Sequence, residues 1–241
     1  MQRLLRFEDR HCLASQTAAL LLDAMSAYQK INGSVSLCLT GGSLANEVYD
    51  NMALQAASSE LNAQQVHLWW NWDSYVALDN PDRNSLQALS RLGGALSLDP
   101  SKIHPIPSST GSSDSEAGAA QYDQELQEHA PIDICLLELH PTGRVAGLFP
   151  DHHSGPSGAF VSGVTSAANS DSELVTITRK GLSMCHEIWI LAQGEDVADL
   201  MSEAFDPELT SPASYVSNST TLLWLADSAA TSLLPFHHCL L

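Results

Sequence analysis

The first residues with chemical potential are Thr40-Gly41-Gly42-Ser43, set between the apolar run Val35 to Leu39 and a helical pattern from Leu44 to Ala56. At such a strand-to-helix junction the backbone N–H groups and the Ser43 hydroxyl can hold a phosphate or carboxylate against the positive end of the helix. Two glycines also make a plain packing turn, so spacing alone leaves both readings open. Ser43 is the one serine placed for nucleophilic attack, yet no Gly-x-Ser-x-Gly elbow surrounds it and no Asp and His follow in a recognisable order. Trp69, Trp70 and Trp72 fall within four residues and are suited either to stacking on a sugar face or to filling the core. Strand alternation sends Trp70 and Trp72 to one side and Trp69 to the other, so at least one belongs to the core.

Metal chemistry has little support. His140 stands at a strand end, and Asp151 precedes His152 and His153, but adjacent histidines in extended chain point opposite ways and do not make a one-face ligand pair. His237-His238 reads as a tail feature. The five cysteines (Cys12, Cys38, Cys135, Cys185 and Cys239) are scattered without the close pairs of a zinc or redox motif, and Cys38 and Cys135 sit in apolar runs as buried thiols. No metal and no cofactor is expected.

The elements that must position these residues alternate. Helical periodicity covers Ser15 to Gln29, with Ser15 as N-cap, followed by an Asn32-Gly33 turn signal and the Val35 to Leu39 strand. Val66 to Trp70 makes a second strand, Ser85 to Leu92 a helix, Ser108 to Ser115 a solvated loop, and Glu116 to Gln127 a helix. Ile132 to Leu139 is a third strand ending in the turn His140-Pro141-Thr142-Gly143. Val161 to Leu174 lacks a clear pattern and reads as loop. Strands at Leu174 to Thr178, Glu187 to Ala192 and Thr221 to Leu225 and a helix from Asp196 to Ala204 complete the chain. Alternation of this kind implies parallel βαβ units with ligands bound beyond the carboxyl ends of the strands.

Composition narrows the partners. With 241 residues, 44% of them hydrophobic, the chain suits one domain over residues 1–241. Ten Lys and Arg against 28 Asp and Glu give a net charge of −18, which repels nucleic acid and anionic membranes. The same field opposes a sugar phosphate, so a phosphate-using enzyme of this composition needs a local cluster of cations. The first residues lack the apolar core of a signal peptide and no run of about 18 apolar residues occurs, so a cytoplasmic protein is expected.

Taken in order, four segments resemble the 6-phosphogluconolactonases, related more distantly to the glucosamine-6-phosphate deaminases, over nearly the whole chain. They are Leu39 to Ser43; Val66 to Trp70 continuing through Tyr75-Val76 to Asp79 to Asn84; Ile132 to Leu137 with Pro141 to Pro150; and Thr221 to Asp227 followed by Ser228-Ala229-Ala230, similar to the last strand and helix of bacterial members. The resemblance implies a three-layer α/β/α, Rossmann-like domain with a mainly parallel sheet. It also implies the family reaction, hydrolysis of 6-phosphogluconolactone to 6-phosphogluconate in the pentose phosphate pathway, with Thr40, Gly41, Gly42, Ser43, Asn71, Arg83 and Gly143 as ligand-binding positions. The expected partner is a small anionic sugar-derived ligand, and the expected state a monomer or weak homodimer.

The departures bear on activity. Where the family reads Gly-Asp-Glu-Arg, this chain has Asn71-Trp72-Asp73-Ser74, which loses the Arg and keeps of the acidic pair only Asp73, a catalytic position by the resemblance. Where it reads Asp-Gly-His, this chain has Thr142-Gly143-Arg144, and a guanidinium at the position of the family's base has no lone pair with which to take a proton from water. The family's phosphate-side Arg and Lys align with Leu174 and Asp196. Catalysis is therefore expected to be lost or much reduced. The rivals are an active lactonase rebuilt around a displaced base, His140, with Arg144, Arg83, Arg179 or Lys180 as cations; a non-catalytic anion-binding or partner protein; and an enzyme of altered substrate selected by the tryptophans and Arg144.

Overall fold

A computed structural model of the chain describes residues 2–148, 158–165, 173–206 and 221–235. Six parallel strands form the main sheet in the order β1-β9-β8-β5-β2-β3: β1 (Gln2–Phe7), β9 (Thr221–Asp227), β8 (Cys185–Ala192), β5 (Ile132–Glu138), β2 (Val35–Leu39) and β3 (Val66–Trp70). The inner strands are near-continuous apolar runs because helices cover both faces. On one side α1 (Arg10–Asn32) packs with α2 (Ser43–Gln55), and α2 with α3 (Asn84–Leu92). On the other α4 (Ser115–His129) is fixed through Tyr122, whose hydroxyl accepts from Trp70 N–H at 2.9 Å. The expected three-layer α/β/α architecture is the one observed. Trp69, Trp70, Trp224, Cys38 and Cys135 are buried, and Trp69 and Trp70 are core despite their opposite strand faces because helices cover both.

Three local expectations change. Helix α1 starts at Arg10 with Asp9 as N-cap, accepting from Cys12 N–H at 2.8 Å, five residues before Ser15, and the polar start Gln2–Phe7 is an edge strand. Val161 to Leu174 is not a loop throughout: β6 (Val161–Thr165) pairs antiparallel with β7 (Glu173–Ile177), which pairs with β4 (Trp72–Ser74) in a second, three-stranded sheet. Its polar, glycine-containing strand lacks alternation because Ser162 and Gly163 are enclosed: a Cβ on Gly163 would collide with the backbone at Ser115 and Glu116. After β9 the chain makes turns over Ser228 to Leu233 in place of a helix. His152, His153, His237, His238 and Cys239 lie outside the described residues.

The second sheet and α3 are tied together by one buried carboxylate. Asp73, fully buried, accepts from the backbone N–H groups of Asn84 (2.7 Å), Ser85 (3.3 Å) and Ser74 (2.9 Å) and from the Ser85 hydroxyl (2.6 Å). It thereby caps α3 from a distance, since the N-cap residue Arg83 provides no side-chain cap itself. Arg83, equally buried, reaches Asp73 at 3.2 Å and donates to Ser85 Oγ and the Ile106 carbonyl. Burial pushes the Asp73 carboxyl up, opposed by the Ser85 bond and the Arg83 charge. Replacing Asp73 by Ala leaves the Arg83 guanidinium buried without its carboxylate, so Asp73→Ala is expected to lower the unfolding free energy by about 3–5 kcal/mol. Urea denaturation measures this; a loss near zero overturns the capping role.

Candidate functional site

Strands β2 and β5 are neighbours whose chains leave in opposite directions, β2 toward β3 and β5 toward β8. Their carboxyl ends open the crevice in which ligands of doubly wound sheets bind. A cavity of about 350 Å³ lies there, within the roughly 300–1,000 Å³ of small-molecule sites. The turn from β2 into α2 gives one wall (Gly41, Gly42, Ser43 and Asn46), α3 gives Asn84 and Gln87, and the end of β5 and the following turn give Glu138, His140, Arg144 and Ala146, with Trp72 completing the lining.

The glycine turn is held from behind. The Tyr49 hydroxyl accepts from Thr40 N–H (3.0 Å) and donates to the Thr40 carbonyl (2.8 Å), and burial raises its pKa so that the phenol keeps its proton. Gly42 sits at φ +136°, a conformation few residues other than glycine adopt, and a Cβ there would fall on the Glu138 carboxylate. A Cβ on Gly41 would fall on the Asn84 carboxamide, which donates to the Trp72 carbonyl at 3.1 Å. Both glycines thus make room for polar side-chain heads.

Glu138 lies half-buried at the N-terminus of α2, where its carboxylate accepts from Ala45 N–H at 3.0 Å. Burial raises its pKa, against the pull of the Ala45 and Leu44 N–H groups and of the Arg10 and Arg144 charges. Arg144 stacks on Trp72, its guanidinium carbon 4.7 Å from the ring centroid. Burial lowers its pKa and Glu138 raises it, but a guanidinium stays charged. Ala146 holds a positive φ of 52° at the cavity wall, in the turn bridging Val145 and Leu148.

His140 lines the cavity beside Arg144. The Thr142 N–H donates to its Nδ1 at 3.2 Å, and the Thr142 hydroxyl lies 2.8 Å from the same atom. A backbone N–H can only donate, so Nδ1 is the acceptor and the neutral ring carries its proton on Nε2. In this arrangement His140 offers the cavity a donor rather than a base.

Of the residues singled out in the sequence, Gly41, Gly42, Ser43, His140 and Arg144 converge on the cavity. Thr40 and Gly143 are buried behind it. Asp73 and Arg83 belong to the α3 cap. Asn71 is fully buried, donating to the Leu136 carbonyl at 2.6 Å, so it joins β3 to β5. Asp196 is exposed and Leu174 buried, and neither lines the cavity. Sequence reasoning missed Glu138, Asn46, Asn84 and Gln87; Glu138 had a signal, as a carboxylate interrupting the apolar run Leu136-Leu137-Glu138-Leu139. Among the described residues no three His, Cys, Asp or Glu side chains converge as a metal site, and no helix is long and apolar enough to cross a membrane.

A parallel α/β sheet with a polar, sugar-sized cavity at the switch point between two strands defines a doubly wound small-molecule protein. Residues 8–224 match the family described as glucosamine-6-phosphate isomerases/6-phosphogluconolactonase, and the chain belongs to that family. It is 33% identical to a 6-phosphogluconolactonase of Streptomyces coelicolor over 94% of this chain and 92% of that protein, and 29% identical to one of Mycobacterium tuberculosis over 95% and 97%. Its fold is similar to 6-phosphogluconolactonase from Trypanosoma brucei (TM-score 0.85, 16% identity, covering 98% of this chain and 99% of that one). It is also similar to a monomeric glucosamine-6-phosphate deaminase (TM-score 0.78, 18% identity, covering 96% and 99%).

Burial and the Arg144 charge both lower the His140 pKa from 6.5. A folded-state pKa below the unfolded one means that this histidine's contribution to stability is present above pH 6.5 and fades as pH falls through the folded value. NMR titration of the His140 ring is expected to give a midpoint below 6.5; a midpoint at or above it removes the Arg144 contact from the account.

Proposed function

We propose that this chain is a 6-phosphogluconolactonase-family hydrolase in which turnover of 6-phosphogluconolactone is lost or much reduced, while a polyhydroxylated-ligand pocket remains. The observation that carries this reading is the absence of a poised base among the described groups lining the cavity. Arg144 stands where the family's base is expected, His140 has its acceptor nitrogen tied to Thr142 N–H, and the Glu138 carboxylate is engaged by the amides of α2.

Hydrolysis of a lactone requires water to lose a proton as it attacks the ester carbon, and a positioned base contributes about 10²–10⁴-fold to such a step. Without it the remaining aids are binding and charge stabilisation: Arg144 and the His140 Nε2–H can face a developing oxyanion, and Asn46, Asn84 and Gln87 can hold ring hydroxyls. These favour slow turnover over none. His140 is also the group on which a rebuilt lactonase would depend, since releasing Thr142 and shifting its proton to Nδ1 would free Nε2 as a base.

Purified protein is expected to hydrolyse 6-phosphogluconolactone no more than about tenfold above the spontaneous rate, and Arg144→His combined with Thr142→Asp is expected to raise kcat. Wild-type kcat in the ordinary enzyme range of roughly 1–10³ s⁻¹ would sink the reduced-catalysis reading. If that activity also disappeared in His140→Ala, the rebuilt site would be the correct account.

A further inference from the structure

A helix N-terminus opened by two glycines is an anion site, and here an anion from the chain itself already fills it. The Glu138 carboxylate accepts from Ala45 N–H at 3.0 Å and occupies the space that a side chain on Gly42 would take. The Ala45 N–H at the positive end of the helix is therefore already answered by a carboxylate. A phosphate arriving at the same amides would meet a carboxylate in its place.

The charge balance of the cavity leads the same way. Its described lining contains two formally charged side chains, Glu138 and Arg144, which cancel, and Arg10, whose charge also reaches Glu138, is paired with Glu47 at 2.6 Å. His140 accepts at Nδ1 and is neutral in that arrangement. A phosphate monoester brings about −1.5 to −2 at pH 7, with no further cation in the described lining to compensate it and a surrounding chain of net charge −18. The other polar groups are neutral: the Ser43 hydroxyl, and the carboxamides of Asn46, Asn84 and Gln87, whose amide nitrogens each donate one bond within the protein (to Gln87 Oε1, the Trp72 carbonyl and the Pro81 carbonyl) and keep their remaining capacity for alcohol groups. Glu138 itself is an acceptor suited to a terminal hydroxyl.

We propose that Glu138 is a specificity-determining residue that fills the α2 amide cradle and turns the cavity toward unphosphorylated sugar acids or their lactones, excluding their phosphorylated counterparts. In this arrangement Arg144, over Trp72, pairs with the single carboxylate or lactone carbonyl, the carboxamides take the hydroxyls along the chain, and Glu138 accepts from the uncharged far end. The assignment rests on the proposed family function for the class of ligand. It differs from that function in concerning which ligand enters rather than whether it is turned over.

The test compares two acids that differ only by the phosphate, D-gluconate and 6-phosphogluconate, by calorimetric titration of the full chain at pH 7.5. Wild type is expected to bind gluconate at least about tenfold more tightly than 6-phosphogluconate, the scale of an uncompensated like-charge contact. Glu138→Ala opens the cradle and is expected to reverse the preference. Glu138→Gln keeps an oxygen acceptor for Ala45 N–H while removing the charge, so it guards against simple misfolding of α2 and is expected to give an intermediate ratio. Equal or tighter binding of 6-phosphogluconate by wild type, a ratio unchanged in both variants, or failure of wild type to bind gluconate would each overturn the proposal. Hydrolysis is followed separately with D-glucono-1,5-lactone. Slow turnover with no preference between the acids removes the Glu138 assignment and leaves reduced catalysis standing, whereas brisk turnover with the gluconate preference intact keeps the Glu138 assignment and removes the missing base as the ground for reduced catalysis.

Discussion

The candidate site depends on the missing side chains of Gly41 and Gly42. Any Cβ at these positions would overlap the Asn84 carboxamide or the Glu138 carboxylate, so the two glycines decide how closely β5 and α3 approach the start of α2. Glu138 can then reach the Ala45 N–H, and Asn84 can bond to the Trp72 carbonyl while lining the same cavity. Three elements distant in sequence are gathered around one turn, and the turn is kept in place by both hydrogen-bonding functions of the Tyr49 hydroxyl. The energetic logic is that of polar groups brought out of water: each is tolerated because another of the set answers it.

The same logic explains why several residues of suitable chemical type serve the scaffold. Asp73 and Arg83 carry opposite charges in a fully buried location, where neither would be tolerated alone. They commit their hydrogen bonds to α3 and to the Ile106 carbonyl, and through α3 they place Asn84 and Gln87. Asn71 joins β3 to β5 across β2's end in a comparable way, through the Leu136 carbonyl. These side chains support the site without touching what enters it. The cavity's own charge rests with Glu138 and Arg144, a pair set against a protein surface of strongly negative balance.

Much of the fold was legible in the sequence because apolar runs of strand length alternate with helical periodicity and because Thr40 to Ser43 marks a strand-to-helix junction. The edge strand Gln2–Phe7 and the pair Val161–Thr165 with Glu173–Ile177 were not legible, since edge and enclosed polar strands carry no alternation of the kind a half-buried strand displays. The identity of Arg144 carries a chemical fact that holds in any fold: a guanidinium cannot act as base, whatever surrounds it.

Tertiary structure alone decided the roles of the carboxylates and of His140. Asp73 and Glu138 are the same functional group, yet one caps α3 inside the core and the other closes the amide cradle at the cavity, because the strands that carry them end against different helices. His140 stood at a strand end in the sequence, but only the fold of the following turn brought Thr142 N–H to its Nδ1 and so determined which nitrogen holds the proton. Residue types and spacing set the covalent and acid-base possibilities of the chain. Which hydrogen bonds those groups make depends on how the folded turns and helices present their N–H groups, whether 93 residues away, as for Glu138 and Ala45, or two, as for His140 and Thr142, and the residue types alone do not record it.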